Sequence, residues 1–110
     1  MRVNDLSFKI DNATPDGRRI SVIVNVENHG QHIEMVTWLD FRLIDDDKNL
    51  YEDARAFPPD HGPLAAMGEI APSGNRDFKY VFVVPEGVQM TDCQFVILED
   101  SNNLKYLNLV

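Results

Sequence analysis

Asp45, Asp47 and Asn49 stand at alternate positions in the run Asp45-Asp46-Asp47-Lys48-Asn49. Hard oxygen donors so spaced are the first three ligand positions of a calcium loop. The rest of such a loop is missing, because Leu50 occupies the position that needs glycine and Ala56 that of the bidentate glutamate. The run therefore reads as a solvated hairpin tip. His29, His32 and Met35 are spaced by three, and imidazole with thioether suits copper or zinc. A turn does not hold such spacing as geometry, and Cys93 has no histidine or methionine close behind it, as a copper electron-transfer strand would show. Cys93 shares its parity with Phe95 and Ile97, which makes it packing rather than a nucleophile. No serine lies in a nucleophile-elbow pattern and no glycine-rich loop precedes a helix. The sequence assigns no catalytic residue, no metal and no cofactor, and the expectation is a protein that is not an enzyme.

The elements that hold these residues are strands. In Ile70 to Pro85 a Pro-Ser-Gly turn launches a strand with Phe78, Tyr80, Phe82 and Val84 on one face, and Pro85, lacking an N–H, ends it. Leu6, Phe8 and Ile10 alternate in a first strand, closed by the turn cluster Asp11 to Gly17. Ile20, Val22, Val24 and Val26 share one face of the next. Asn28-His29-Gly30 turns the chain, with Gly30 placed to take positive φ. Between Glu34 and Ile44 the parity changes from Val36 and Trp38 to Phe41 and Leu43, which predicts a bulge or a bend near Leu39-Asp40. A short strand follows around Leu50, Tyr51 and Glu52, then an aperiodic loop from Ala54 to Met67. The strand at Cys93, Phe95 and Ile97 is apolar on both faces, hence central, and a last one runs through Leu104 and Tyr106. Seven or eight short strands and no helical stretch predict an all-β antiparallel sandwich in one domain over residues 1–110. Its expected core includes Val22, Val24, Trp38, Phe78, Tyr80, Phe82, Phe95 and Ile97.

Composition narrows the partners. With 18 acidic against 10 basic residues the formal charge is -8, a field that repels phosphate backbones and anionic lipid. Nucleic acid is therefore not an expected partner, nor is membrane insertion, since no apolar run approaches the roughly 20 residues a span needs. One cysteine allows no intrachain disulfide. The start MRVNDLSF has no apolar leader region, which leaves a cytoplasmic protein and one whose leader has been removed both open.

Two surfaces remain as candidates for recognition. Phe57, Pro58, Pro59, Asp60 and His61 set an aromatic ring beside two prolines, apolar surface that loses little entropy on ordering. These are the residues expected to meet a protein partner, against the alternative that Phe57 plugs an open end of the fold. The acids Asp40, Asp45, Asp46, Asp47, Glu52, Asp53 and Asp60 form a second candidate, an inhibitor imitating a phosphate backbone. Carboxylates lining one face would favour the mimic; scattered ones would not.

The stretches VNVENHG from Val24 to Gly30, DFRLIDDDKNLYED from Asp40 to Asp53 and APSGNRDFKYVFVVPEG from Ala71 to Gly87 together resemble bacterial immunoglobulin-like domains of unknown function related to a secreted immunoprotective antigen. Leu43, Asp45 and Tyr51 match that family's hairpin, with Lys48-Asn49 where a glycine is usual. Pro72-Ser73-Gly74 matches its Pro-Gly turn with one residue inserted. The resemblance implies an immunoglobulin-like sandwich and a secreted or surface-attached accessory role, with no catalytic residues.

Overall fold

A computed structural model describes residues 2–36, 39–52, 69–100 and 103–109. Within them the long alternating stretches become strands: β2 (Leu6–Asp16), β3 (Arg19–Asn28), β5 (Asp40–Ile44), β6 (Leu50–Glu52), β8 (Asn75–Val83), β9 (Gln94–Asp100) and β10 (Asn103–Asn108). Three two-residue pairings, β1 (Arg2–Val3), β4 (Glu34–Met35) and β7 (Glu69–Ile70), raise the number to ten among the described residues. The fold is all-β and its sheets are antiparallel, in the orders β1-β2-β3-β8, β10-β9-β5-β6 and β4-β7.

Register puts the apolar faces together. Ile20, Val22 and Val24 lie opposite Phe82, Tyr80 and Phe78, while Phe41 and Leu43 lie opposite Ile97 and Phe95. The rings then join the two four-stranded sheets. Phe41 of β5 stands 4.8 Å from Tyr80 of β8, and Phe95 of β9 stands 5.5 Å from Tyr80 and 6.1 Å from Phe82. Such pairs are worth about 0.5–1.5 kcal/mol each beyond the area they bury. Seven of the eight expected core residues are buried; Trp38 lies outside the described residues.

One boundary differs from expectation. β2 does not stop at Ile10 but continues through Pro15 to Asp16, its register shifting between Ile10 and Asn12. The bulge hides the alternation, and Pro15 is tolerated because β1 flanks β2 only at Leu6 and Ser7 among the described residues. The parity change after Glu34 comes with the expected bend, at Leu39, where the chain passes from one sheet to another. Glu34 and Met35 pair with β7, whereas β5 pairs with β9 and β6, and Leu39 N–H donates to Val36 O at the corner.

Candidate functional site

The residues expected to meet a partner, Phe57, Pro58, Pro59, Asp60 and His61, lie outside the described residues, as do Asp53 and Ala56. The polar chemistry that the structure describes gathers at two buried side chains, Asn28 and Asp45. Each continues the buried parity of its strand one step past the last core residue: Ile20, Val22, Val24, Val26, then Asn28; Phe41, Leu43, then Asp45. A polar group in such a place must find its partners inside the protein.

Asn28 finds three. Its Nδ2 donates to His32 O at 2.8 Å and to Ile70 O at 3.0 Å, and its Oδ1 accepts from Gly30 N at 2.8 Å. Its backbone is tied as well, N–H to Gly74 O and C=O from Ser73 N–H. Asn28 thus joins the end of β3 to β7 through its side chain and to the turn before β8 through its backbone. Gly30 has no positive φ here, contrary to expectation. A Cβ there would meet the exposed Asp5 side chain, with Oδ2 at 2.6 Å, and would have to displace it.

Asp45 is buried, with 7% of its surface exposed, which corrects the reading of this run as a wholly solvated tip. Oδ1 accepts from the backbone N–H of Asp47 at 3.0 Å and of Asn49 at 2.9 Å, and Oδ2 accepts from Asn49 Nδ2 at 3.2 Å and from Tyr51 OH at 2.6 Å. Both oxygens that a calcium loop would turn toward its ion are thus already engaged within the hairpin. The Tyr51 hydroxyl holds the Asp45 carboxyl below the ordinary aspartate range; partial burial opposes it, and the bonds from Asn49 and Asp47 reinforce it. The same hydrogen bond, with burial and the Asp45 charge behind it, pushes the Tyr51 phenol up to about 12.

The other chemical candidates are dispersed. The His29 ring lies 2.9 Å from Ser7 Oγ and 3.9 Å from Glu27 Oε2, His32 is tied through its carbonyl to Asn28, and Met35 pairs with Glu69 in β4. Among the described residues no three His, Cys, Asp or Glu side chains are grouped to hold a metal. Buried Cys93 sets its thiol 3.4 Å from Gln89 O. Burial, with the charges of Asp45, Asp92 and Asp46, pushes that thiol up to about 11, the reverse of what activates a nucleophile. Asp45, Asp92 and Cys93 border a depression of about 250 Å³ with Lys48 and Asn108. A larger groove, about 480 Å³, lies where the Gly17-Arg18 turn meets the loop from Pro85 to Met90. There Val84 N–H donates to Arg18 O and Arg18 Nε returns a bond to Val84 O.

The described acids point in different directions. Asp45 turns inward, Asp46 and Asp47 stay exposed at the hairpin tip, and Glu52 sits 3.6 Å from Arg42 on the face that also carries Asp40. Among the described residues no helix is long and apolar enough to cross a membrane.

No family model matches this sequence, and no curated protein matches it. Among solved structures, the fold is similar to that of a conserved hypothetical protein from Bacillus anthracis, with a TM-score of 0.58 at 10% identity over 96% of this chain and 89% of that one. At that identity the likeness shows the fold alone.

Proposed function

We propose that this chain is an immunoglobulin-like β-sandwich that acts as a non-catalytic binding or accessory module, presenting loop surface to a protein partner. The sandwich reading rests on the aromatic contacts between the two four-stranded sheets and on their edges: β6 comes close to β8 at one side and β10 to β2 at the other. The resemblance to the bacterial immunoglobulin-like domains gains a physical basis. Its hairpin residues Asp45 and Tyr51 are bonded to each other, and Lys48, one of the two residues standing where that family usually has glycine, takes the left-handed φ of 70° that glycine would supply.

The observation that carries the functional reading is where the unusual polar groups direct their bonds. Asn28, Asp45, Tyr51 and Cys93 satisfy one another or the nearby backbone, so their altered chemistry supports the fold. A catalytic set would aim such groups at a shared point in a cleft. The scatter of the described acids likewise weighs against the phosphate-mimic alternative.

The partner is assigned on sequence grounds to Phe57, Pro58, Pro59, Asp60 and His61, with the chain's negative charge favouring a basic-rimmed protein and acting mainly on the association rate. Affinity capture from native host extract tests this, at low and high salt and with Phe57→Ala. One specific partner is expected, weakened by both salt and the substitution. A partner indifferent to both overturns the assigned residues, and turnover of a small molecule overturns the non-enzymatic reading.

A further inference from the structure

The sequence holds a single Asp-Gly pair, Asp16-Gly17, and no Asn-Gly pair. It stands at the tip of the hairpin between β2 and β3, where Asp16 and Arg19 close the ladder and Gly17-Arg18 make a two-residue loop. Both residues of the pair are exposed, and Gly17 takes a φ of +62°. A Cβ added at Gly17 would meet nothing within 4 Å, so no neighbouring atom packs on this bond from that side. The anchor beyond it is Arg18, whose C=O accepts from Val84 N–H at 2.8 Å and whose Nε donates to Val84 O at 3.3 Å. Before it, β1 flanks β2 only at Leu6 and Ser7 among the described residues, so Asp16 is held from β3 alone. Its carboxyl has no partner among the described residues. The acids elsewhere are placed differently. Asp45 is bound at both oxygens and Asp77 accepts from Asn25 Nδ2, and each is followed by a residue whose side chain crowds the next backbone nitrogen.

We propose that Asp16 is a site of covalent self-modification, at which the Asp16-Gly17 bond becomes an isoaspartyl bond. The Gly17 backbone nitrogen attacks Cγ of the protonated Asp16 carboxyl. The new N–Cγ bond closes a succinimide ring, and the carboxyl hydroxyl leaves with the proton of the Gly17 N–H as water. Solvent water then opens the ring. Addition at Cγ breaks the new bond and restores aspartate. Addition at the Asp16 backbone carbonyl carbon breaks its bond to the Gly17 nitrogen, which leaves an α-carboxyl and a main chain running through Cβ and Cγ. One water is lost and one regained, so mass and charge are unchanged and nothing is oxidised or reduced. Extended Asp16 must rotate before nitrogen and Cγ can meet, so the reaction draws on the frayed hairpin tip. Terminal pairs open at little cost in free energy, and glycine leaves the rotation and the approach unhindered. The product carries one more carbon in the main chain of a loop whose length sets the strand register. Asp16 and Arg19 then no longer lie opposite each other. Pro15, Gly17, Arg18 and Ile20 face Pro85 to Met90 across the groove of about 480 Å³, so the modification reshapes one wall of that groove.

Prolonged incubation of the folded full chain in neutral buffer tests it, with Asp16→Glu alongside, since glutamate closes a larger ring far more slowly. Isoaspartyl carboxyls are read by enzymatic methylation with labelled S-adenosylmethionine. Fragmentation mass spectrometry of the tryptic peptide from Ile10 to Arg18, which also contains Asp11, assigns the position. A synthetic peptide of the same sequence serves as the clock for the unfolded reaction. Isoaspartate is expected at Asp16 ahead of every other position, with a transient species lighter by one water. The folded chain should lag the peptide by no more than about tenfold, the reach of terminal fraying. Asp16→Glu should lose the label at this position while melting as the wild type does. A folded chain that lags further shows that the hairpin protects the bond, and overturns the proposal. So does a label that Asp16→Glu keeps, or one that appears first at another aspartate or asparagine.

Discussion

Asn28 and Asp45 do the same structural task with opposite electrical means. Each ends the buried face of a strand, and each binds a turn to the core through its side chain, Asn28 at three atoms and Asp45 at four. Asn28 is fully buried and neutral; it reaches across the chain to Ile70, 42 residues away. Asp45 is charged and binds within its own hairpin, no farther along the chain than Tyr51. A neutral amide both donates and accepts, so it can bridge distant backbone without a counter-charge. A carboxylate only accepts, so it suits a tight turn whose N–H groups already converge.

The largest expected difference is in stability. Asn28→Ala leaves the buried Ile70 carbonyl without its partner and the part-buried His32 carbonyl and Gly30 N–H to find water, and with about 1–3 kcal/mol for the buried group and less for the other two the loss should reach roughly 2–4 kcal/mol. That is a large share of the roughly 5–15 kcal/mol that holds a domain together. Urea denaturation measures it, and a loss below about 1 kcal/mol would mean water replaces the amide. Asp45→Asn should lower the midpoint less, since it keeps the Oδ1 acceptor and the exposed tip admits water. A greater fall than for Asn28→Ala would reverse the comparison.

The two regions should also separate by pH. Asn28 does not titrate. Asp45 has a folded pKa below its ordinary 3.8, so its contribution is present above about pH 4 and lost as pH falls through the folded value. Tyr51 is raised from 10.0 to about 12, so its contribution is present below pH 10 and lost as pH rises toward 12. Melting temperature followed across pH should therefore show an acid limb that Asp45→Asn flattens and an alkaline limb, shared with the raised Cys93 thiol, that Tyr51→Phe together with Cys93→Ala flattens. Asn28→Ala should lower the whole curve without reshaping either limb. A limb that survives its own substitution would assign the titration to another group.

What the sequence makes legible follows from length and parity. Ile20 to Val26 and Phe78 to Val84 alternate long enough to declare a strand and its buried face, whereas β1, β4 and β7 are two residues each and have no period to read. The bulge in β2 reverses the alternation where the strand goes on. The two polar anchors were missed for a different reason: Asn and Asp near a turn read as solvated by residue type, although both stand on the parity of the core residues before them. Parity, followed one position beyond the last apolar residue, is the signal that finds both. At Gly30 the residue type suggests a positive φ, whereas what crowds it is the Asp5 side chain, a contact between distant residues that spacing cannot display. The resemblance did single out Asp45 with Tyr51 and the turn at Ser73-Gly74, but not the hydrogen bonds that require them.

The smallest effect is one in which the two regions should behave alike. Each anchor is served by one non-glycine residue in the left-handed region: Lys48, φ 70°, inside the turn that Asp45 binds, and Ser73, φ 63°, whose N–H donates to Asn28 O. An L-residue held there is strained by about 1–2 kcal/mol relative to glycine, but glycine also gives the unfolded chain more freedom, returning about 0.4–1 kcal/mol of that gain. Lys48→Gly and Ser73→Gly should therefore each stabilise by about 0–1.6 kcal/mol, seen as a higher urea midpoint at unchanged slope. Both substitutions keep the backbone N–H groups on which the anchors depend, so neither should alter the pH limbs. A destabilisation at one position alone would show that its side chain, and not merely its backbone, serves that anchor, and the likeness between the two turns would end there.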